Sequence, residues 1–178
     1  MRKNFSTELH LFADASEVAY GAACYIKFRY VNGTVKITFL LGKSRLAPIK
    51  LVTIPRLEIC AAVFAAKMYD SISSELEYDV TCTYFCSDSM TVLGYIRKKT
   101  ARYKTIVANK IATIHDLTQV SDWHHIDGKL NPADIASRGI MPTDDVKLRE
   151  WLKGSSFLLT DQYPTEISSA ENETTEEK

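Results

Sequence analysis

Apolar and polar residues alternate along 8–14 (ELHLFAD), 20–30 and 35–41, the two-residue period of a half-buried strand. Asn32-Gly33 separates the second and third of these runs. This dipeptide predicts a hairpin with a type I′ turn, whose two central residues need positive φ. After a linker (GKSRLAPIKLV), Thr53 and Pro55 predict a helix start, because proline at the first turn loses no hydrogen bond. Leu57, Ala61, Phe64 and Met68 then recur at helical spacing.

Residues 80–86 (VTCTYFC) are β-branched and aromatic and predict a fourth strand. Ser87-Asp88-Ser89 follows as a capping signal for a helix carrying Val92, Leu93 and Ile96. A further helix is predicted over 104–117, then a short strand through Trp123 and Ile126 and a turn at Asp127-Gly128. The last helix of this series opens with Asn131 as cap and Pro132 in the first turn, and Gly139 stops it. The order β-β-β-α-β-α-α-β-α describes an α/β domain, with a five-stranded mixed sheet whose first three strands form an antiparallel meander and whose others join by helical crossovers.

Composition adds bounds to this picture. The chain has 178 residues, 46% hydrophobic and 25% charged, as expected for one globular domain with a full core. Its longest apolar run, 59–66, is too short to cross a membrane, and the N-terminus has no apolar signal core. The expectation is an intracellular protein, cytoplasmic or nuclear, with no membrane partner. Cys24, Cys60, Cys82 and Cys86 show no zinc-ribbon spacing and read as reduced, packed thiols.

Net charge is zero, but unevenly spread. Residues 161–178 hold six acids against Lys178, so this Thr/Glu/Ser-rich tail reads as an acidic disordered segment and leaves the rest mildly basic. The division of the chain is therefore a leader over 1–7, a domain over 8–140, an extension over 141–160 and the tail over 161–178. A basic domain suits a polyanionic partner.

Candidate chemistry sits where the predicted elements end. Asp14 closes the first strand, Glu58 falls in the first turn of the first helix, Asp88 closes the fourth strand, and Asp134 falls in the first turn of the last helix. Ligand sites of open α/β sheets lie outside the carboxyl ends of strands. Four carboxylates gathered there would repel one another, and two Mg²⁺ ions would neutralise them, since Mg²⁺ prefers carboxylate and phosphate oxygens. Taken singly, each acid is better read as a turn, cap or first-turn residue.

Six blocks occur in order: FADAS (12–16), GKSRLAPIK (42–50), TIPRLEICAA (53–62), SDSMTVLGYI (87–96), ANKIATI (108–114) and NPADIASRGI (131–140), with EWLKGSSFL (150–158) downstream. Together they resemble the ribonuclease H domain of BEL/Pao-type LTR retrotransposon polyproteins over about residues 8–160. The resemblance implies an RNase H-like fold, a retrotransposon origin beside a reverse transcriptase domain, and two-metal hydrolysis of the RNA strand of RNA–DNA hybrids. The cofactor would be two Mg²⁺, with Mn²⁺ as the alternative. Asp14 would bridge both ions, Glu58 and Asp88 would complete the ion near the leaving group, and Asp134 would help hold the ion that activates water. The products would carry 3′-hydroxyl and 5′-phosphate ends.

Candidate contacts to the hybrid are the basic run Arg97, Lys98, Lys99, Arg102 and Lys104, together with Lys43, Arg45, Arg56 and Lys129 on phosphate. Ser16 and Ser89 stand beside the acids and are candidates for sugar hydroxyls. Solvated loops and helix caps explain the same residues. His124 and His125 sit in the short fifth strand, where alternation sends them to opposite faces and favours one packed and one exposed ring. Two other readings of the fold fit less well: a 3′ to 5′ exonuclease opens with D-x-E, where this chain has Asp14-Ala15-Ser16, and an integrase-like domain ends on Glu. The rival from outside the enzymes is a catalytically silent retroelement remnant that binds nucleic acid or protein.

Overall fold

A computed structural model of the chain describes residues 4–49, 52–98 and 103–160. Three strands come first: β1 (Phe5–Ala15), β2 (Ala19–Tyr30) and β3 (Val35–Leu46). They are followed by α1 (Ile54–Glu75), β4 (Cys82–Ser87), α2 (Met90–Arg97), α3 (Thr105–Leu117), β5 (Trp123–His125), α4 (Ala133–Arg138) and α5 (Asp145–Lys153). Short 3₁₀ turns occupy Val120–Asp122, Gly128–Leu130 and Ser156–Leu159. The sheet order is β3-β2-β1-β4-β5, antiparallel across β1–β2 and β2–β3 and parallel across β1–β4 and β4–β5. This is the mixed five-stranded α/β sheet that the pattern predicts.

The local signals act where they were expected, with instructive exceptions. Gly33 has φ +84°, but its N–H bonds Tyr30 O, so the left-handed residue is the fourth of the turn and not one of its two central residues. The hairpin therefore departs from the type I′ expectation toward the longer loops that end in a left-handed glycine. β3 also runs on through Gly42–Leu46, residues assigned to a linker from sequence. They form an exposed edge, and exposed edge strands tolerate polar residues such as Lys43 and Arg45.

Helices α1, α2 and α3 cover one sheet face, with Leu9, Leu11, Leu57, Phe85, Leu93, Ile114 and Trp123 in its core. A smaller core on the opposite face gathers Phe12, Tyr25, Ile126, Ala133 and Leu158. β1 is thus buried on both faces, which is why its polar partners of the alternation, His10 and Asp14, are 0% and 8% exposed. Residues 141–160 complete the second face: Trp151 packs on Phe39 with ring centroids 4.8 Å apart, and Tyr25 Oη donates to Trp151 O. Lys27, buried beside Glu8, donates to Thr160 O at 3.2 Å.

All four cysteines are free, but only Cys24 and Cys86 are buried; Cys82 is exposed, against the expectation of packed thiols, because it is the first residue of β4, whose burial rises only toward Ser87. Among the described residues no helix is long and apolar enough to cross a membrane. Lys99, Arg102 and the tail 161–178 lie outside the described residues.

Candidate active site

β1 and β4 run parallel, and Ala13 is paired with Ser87. Asp14 and Asp88 each stand one residue beyond that pair, so they emerge side by side from strands about 4.8 Å apart. Asp134, in the first turn of α4, reaches the same edge because α4 packs over the ends of β1 and β2. Glu58 comes from the other face. It lies in the second turn of α1 and not, as the sequence suggested, the first, because the helix starts at Ile54. Ser89, the N-cap of α2, donates to Glu58 Oε2 at 2.5 Å and so ties this acid to the turn that carries Asp88.

The electrostatics show that Asp14, Asp88 and Asp134 share one environment. Burial pushes the Asp14 carboxyl up to about 6, and the charges of Asp88 and Asp134 push in the same direction, while the Ser137 hydroxyl bond and Arg138 pull it down. Burial also raises Asp88, with Asp134 adding to the rise; a backbone hydrogen bond, His125 and Asn131 oppose it. Negative charge is therefore concentrated at one partly buried edge, where a divalent cation would offset it.

Each acid also has a local partner. Ser137 Oγ donates to Asp14 Oδ2, and Arg138 Nε donates to Asp134 Oδ1 at 2.5 Å. Asn131 Nδ2 donates to Ala13 O at 3.0 Å while its Oδ1 accepts from Ala133 N–H at 3.1 Å, which joins β1 to the start of α4. Gly128 lies so close to Asp88 that a Cβ there would stand 2.8 Å from Oδ2. With the carboxylates held by these partners, no three His, Cys, Asp or Glu side chains among the described residues converge tightly enough to hold one ion. The donor set is nonetheless all carboxylate oxygen, the chemistry of Mg²⁺ and Mn²⁺ and not of softer metals.

A family model described as a Pao retrotransposon-like RNaseH-like domain matches residues 1–89, a segment that contains Asp14, Glu58 and Asp88. The chain belongs to this family. No curated protein matches it. Among solved structures it is similar to the N-terminal RNase H domain of Rv2228c from Mycobacterium tuberculosis, solved as a fusion with maltose-binding protein, at 12% identity and a TM-score of 0.50, covering 75% of this chain and 92% of that one. RNase H1 from the halophilic archaeon Halobacterium salinarum NRC-1 aligns at 12% identity and a TM-score of 0.45, over 76% of this chain and 99% of that one. LC11-RNase H1, solved in complex with an RNA/DNA hybrid, aligns at 15% identity and 0.45, over 71% and 88%. The mycobacterial likeness is one of fold, and it agrees with the RNase H-like sheet described above.

Within this Pao-type RNase H-like domain, Asp134 lies beyond the matched segment and joins the other acids through the fold. Ser16 and Ser89 are both 8% exposed and spend their hydroxyls internally, Ser16 on Ser137 O at 2.7 Å and Ser89 on Glu58, so they position the acids and offer little surface to a sugar. Lys43, Arg45, Arg56, Arg97, Lys98, Lys104 and Lys129 are all exposed. Arg56 and Lys104 line a groove of about 590 Å³ with Tyr103, whose buried hydroxyl has no partner among the described residues.

Three partners of the acids escaped the sequence reading. Ser137 and Arg138 stand three and four residues after Asp134, the spacing that places side chains on one helix face, and this signal was available. His125 is paired with Ser87 and faces Asp88, whereas His124 leans on Tyr84 across the sheet, at 5.7 Å between ring centroids. One packed and one exposed ring were expected; both are half-buried, because the sheet is covered on both sides.

Proposed function

We propose that this chain is a metal-dependent endonuclease of retrotransposon origin that hydrolyses the RNA strand of RNA–DNA hybrids, acting inside the cell beside a reverse transcriptase domain of its parent polyprotein. The observation that carries this reading is the gathering of Asp14, Asp88 and Asp134 at one sheet edge, with Glu58 tied to it through Ser89.

In this reading the four carboxylates would hold two Mg²⁺ or Mn²⁺ ions. Such a pair stabilises both the attacking and the leaving oxygen of an in-line displacement at phosphorus. Ser137 and Ser89 orient Asp14 and Glu58; Asn131 and the bare backbone of Gly128 fix Asp88. Arg138 holds Asp134 and would be free to turn to phosphate once that acid takes up a cation. Arg56 and Lys104 offer charge to the hybrid backbone. The binding would be salt-sensitive and independent of sequence.

The test is cleavage of a hybrid labelled on the 5′ end of its RNA, in Mg²⁺ and in Mn²⁺, beside double-stranded DNA and double-stranded RNA. The expected result is cutting of the hybrid's RNA alone, with 3′-hydroxyl products. A folded chain that binds hybrid and cuts it in neither metal would contradict the proposal and favour the silent remnant.

Gly128 provides a narrower check. Gly128→Ala is expected to move the Asp88 carboxylate and slow hybrid cleavage about 100-fold, the cost of misplacing a catalytic group by roughly 1 Å. Because the clash is with the end of one side chain, thermal unfolding should shift by no more than about 3 °C.

A further inference from the structure

Between α4 and α5 runs a second groove, of about 550 Å³, that starts at Asp134 and lies apart from the one beside α1. Lys129, Arg138, Lys147 and Lys153 line it, against the acids Asp134 and Glu150, so its walls carry a net positive charge. Lys147 and Arg138 are 63% and 65% exposed, and Lys129 and Lys153 are exposed as well. Trp151 forms part of the wall, and its Nε1 is buried with no partner among the described residues.

Two of these cations are already engaged: Arg138 on Asp134, and Lys147 more loosely on Asp144 at 3.9 Å. An exposed ion pair of this kind stabilises little and is readily exchanged for a phosphate. Lys147 and Lys153 are six residues apart on α5, about 9 Å along its axis, and both line the groove.

We propose that this groove binds the phosphate backbone of the RNA strand as it leaves the carboxylates, with Lys129, Lys147 and Lys153 on phosphates and Arg138 at its mouth. The inference rests on the hybrid-cleavage reading. It follows from continuity: Asp134 belongs both to the acidic edge and to the groove, so a strand held at the acids has the α4–α5 groove as its basic exit. Residues 141–160 would then both complete the second core and extend the nucleic-acid surface beyond the part of the chain that the family model matches.

The experiment is fluorescence anisotropy of a labelled RNA–DNA hybrid bound to the full chain, titrated over a range of KCl in EDTA. Wild type is compared with Lys147→Gln/Lys153→Gln and with Lys36→Gln/Lys67→Gln, a control pair of exposed lysines outside both grooves. The α5 pair is expected to weaken binding about 10-fold and to reduce the slope of log K against log salt by about 2, one for each lost phosphate contact. The control pair should leave the slope unchanged. If wild type cuts hybrid but the α5 pair keeps the wild-type slope, the groove is not a backbone channel while the nuclease reading stands. If wild type neither binds nor cuts hybrid, both are overturned.

Discussion

Asp14→Asn is expected to make the metal-free protein more stable at pH 7.5, by about 1–2 kcal/mol, while lowering hybrid cleavage at least ~1000-fold. The stability gain follows from the direction of the Asp14 shift. Its carboxyl ionises near 6 in the folded chain against an ordinary value of 3.8. Between those two values the native state holds a proton that the unfolded chain has lost, so this residue makes stability fall as pH rises from about 4 to 6. Above that range the burden is complete, and asparagine removes it while still offering an oxygen to the Ser137 hydroxyl. The full shift would correspond to about 3 kcal/mol, and water reaching the site lowers that figure. Thermal unfolding in EDTA should show the variant about 4 °C above wild type at pH 7.5, with the gap closing toward pH 4. Added Mg²⁺ should raise the wild-type midpoint and leave that of the variant unmoved. A variant less stable than wild type at pH 7.5 would show that the Asp14 charge is not a burden in the native chain.

Gly21→Val is expected to destabilise the domain by about 3 kcal/mol, near the upper end for overpacking. Gly21 is paired with Asp14 across β1 and β2, directly under α4. A Cβ there would stand 2.8 Å from that of Ala136 and 2.9 Å from Lys43 O, and the second of these is backbone. Relief requires α4 to lift, which carries Asp134 and Ser137 away from Asp14. Cleavage should therefore fall about 100-fold even at temperatures where the variant stays folded. Gly94→Ala is the informative contrast: nothing lies within 4 Å of a Cβ at that helical position, and the substitution should stabilise by about 0.5–1 kcal/mol. The midpoints of thermal or urea unfolding separate the two.

Much of the architecture was readable from short-range signals because those signals act locally. Pro55 fixes the start of α1, Ser89 caps α2 by accepting from Val92 N–H, and Asn131 and Gly139 bound α4. The strand ends that carry Asp14 and Asp88 followed from the same patterns. What escaped depends on contacts distant in sequence. Ser137 meets Asp14 across 123 residues, and nothing in the alternation of β1 shows that its polar face will be buried. Trp151 sits on a β3 position where a Cβ on Gly42 would collide with its ring, so the role of 141–160 in the second core appears only once the sheet is assembled. His125 was readable as a strand residue, but its facing of Asp88 depends on the parallel register of β4 and β5.

The most direct test of the central claim, that the carboxylates at this sheet edge cut the RNA of a hybrid, compares wild type with Asp88→Asn on one labelled hybrid in Mg²⁺, with both proteins shown to be folded and to bind it. The account predicts RNA cleavage by wild type and none above background by the variant. Equal cleavage by the two would contradict it.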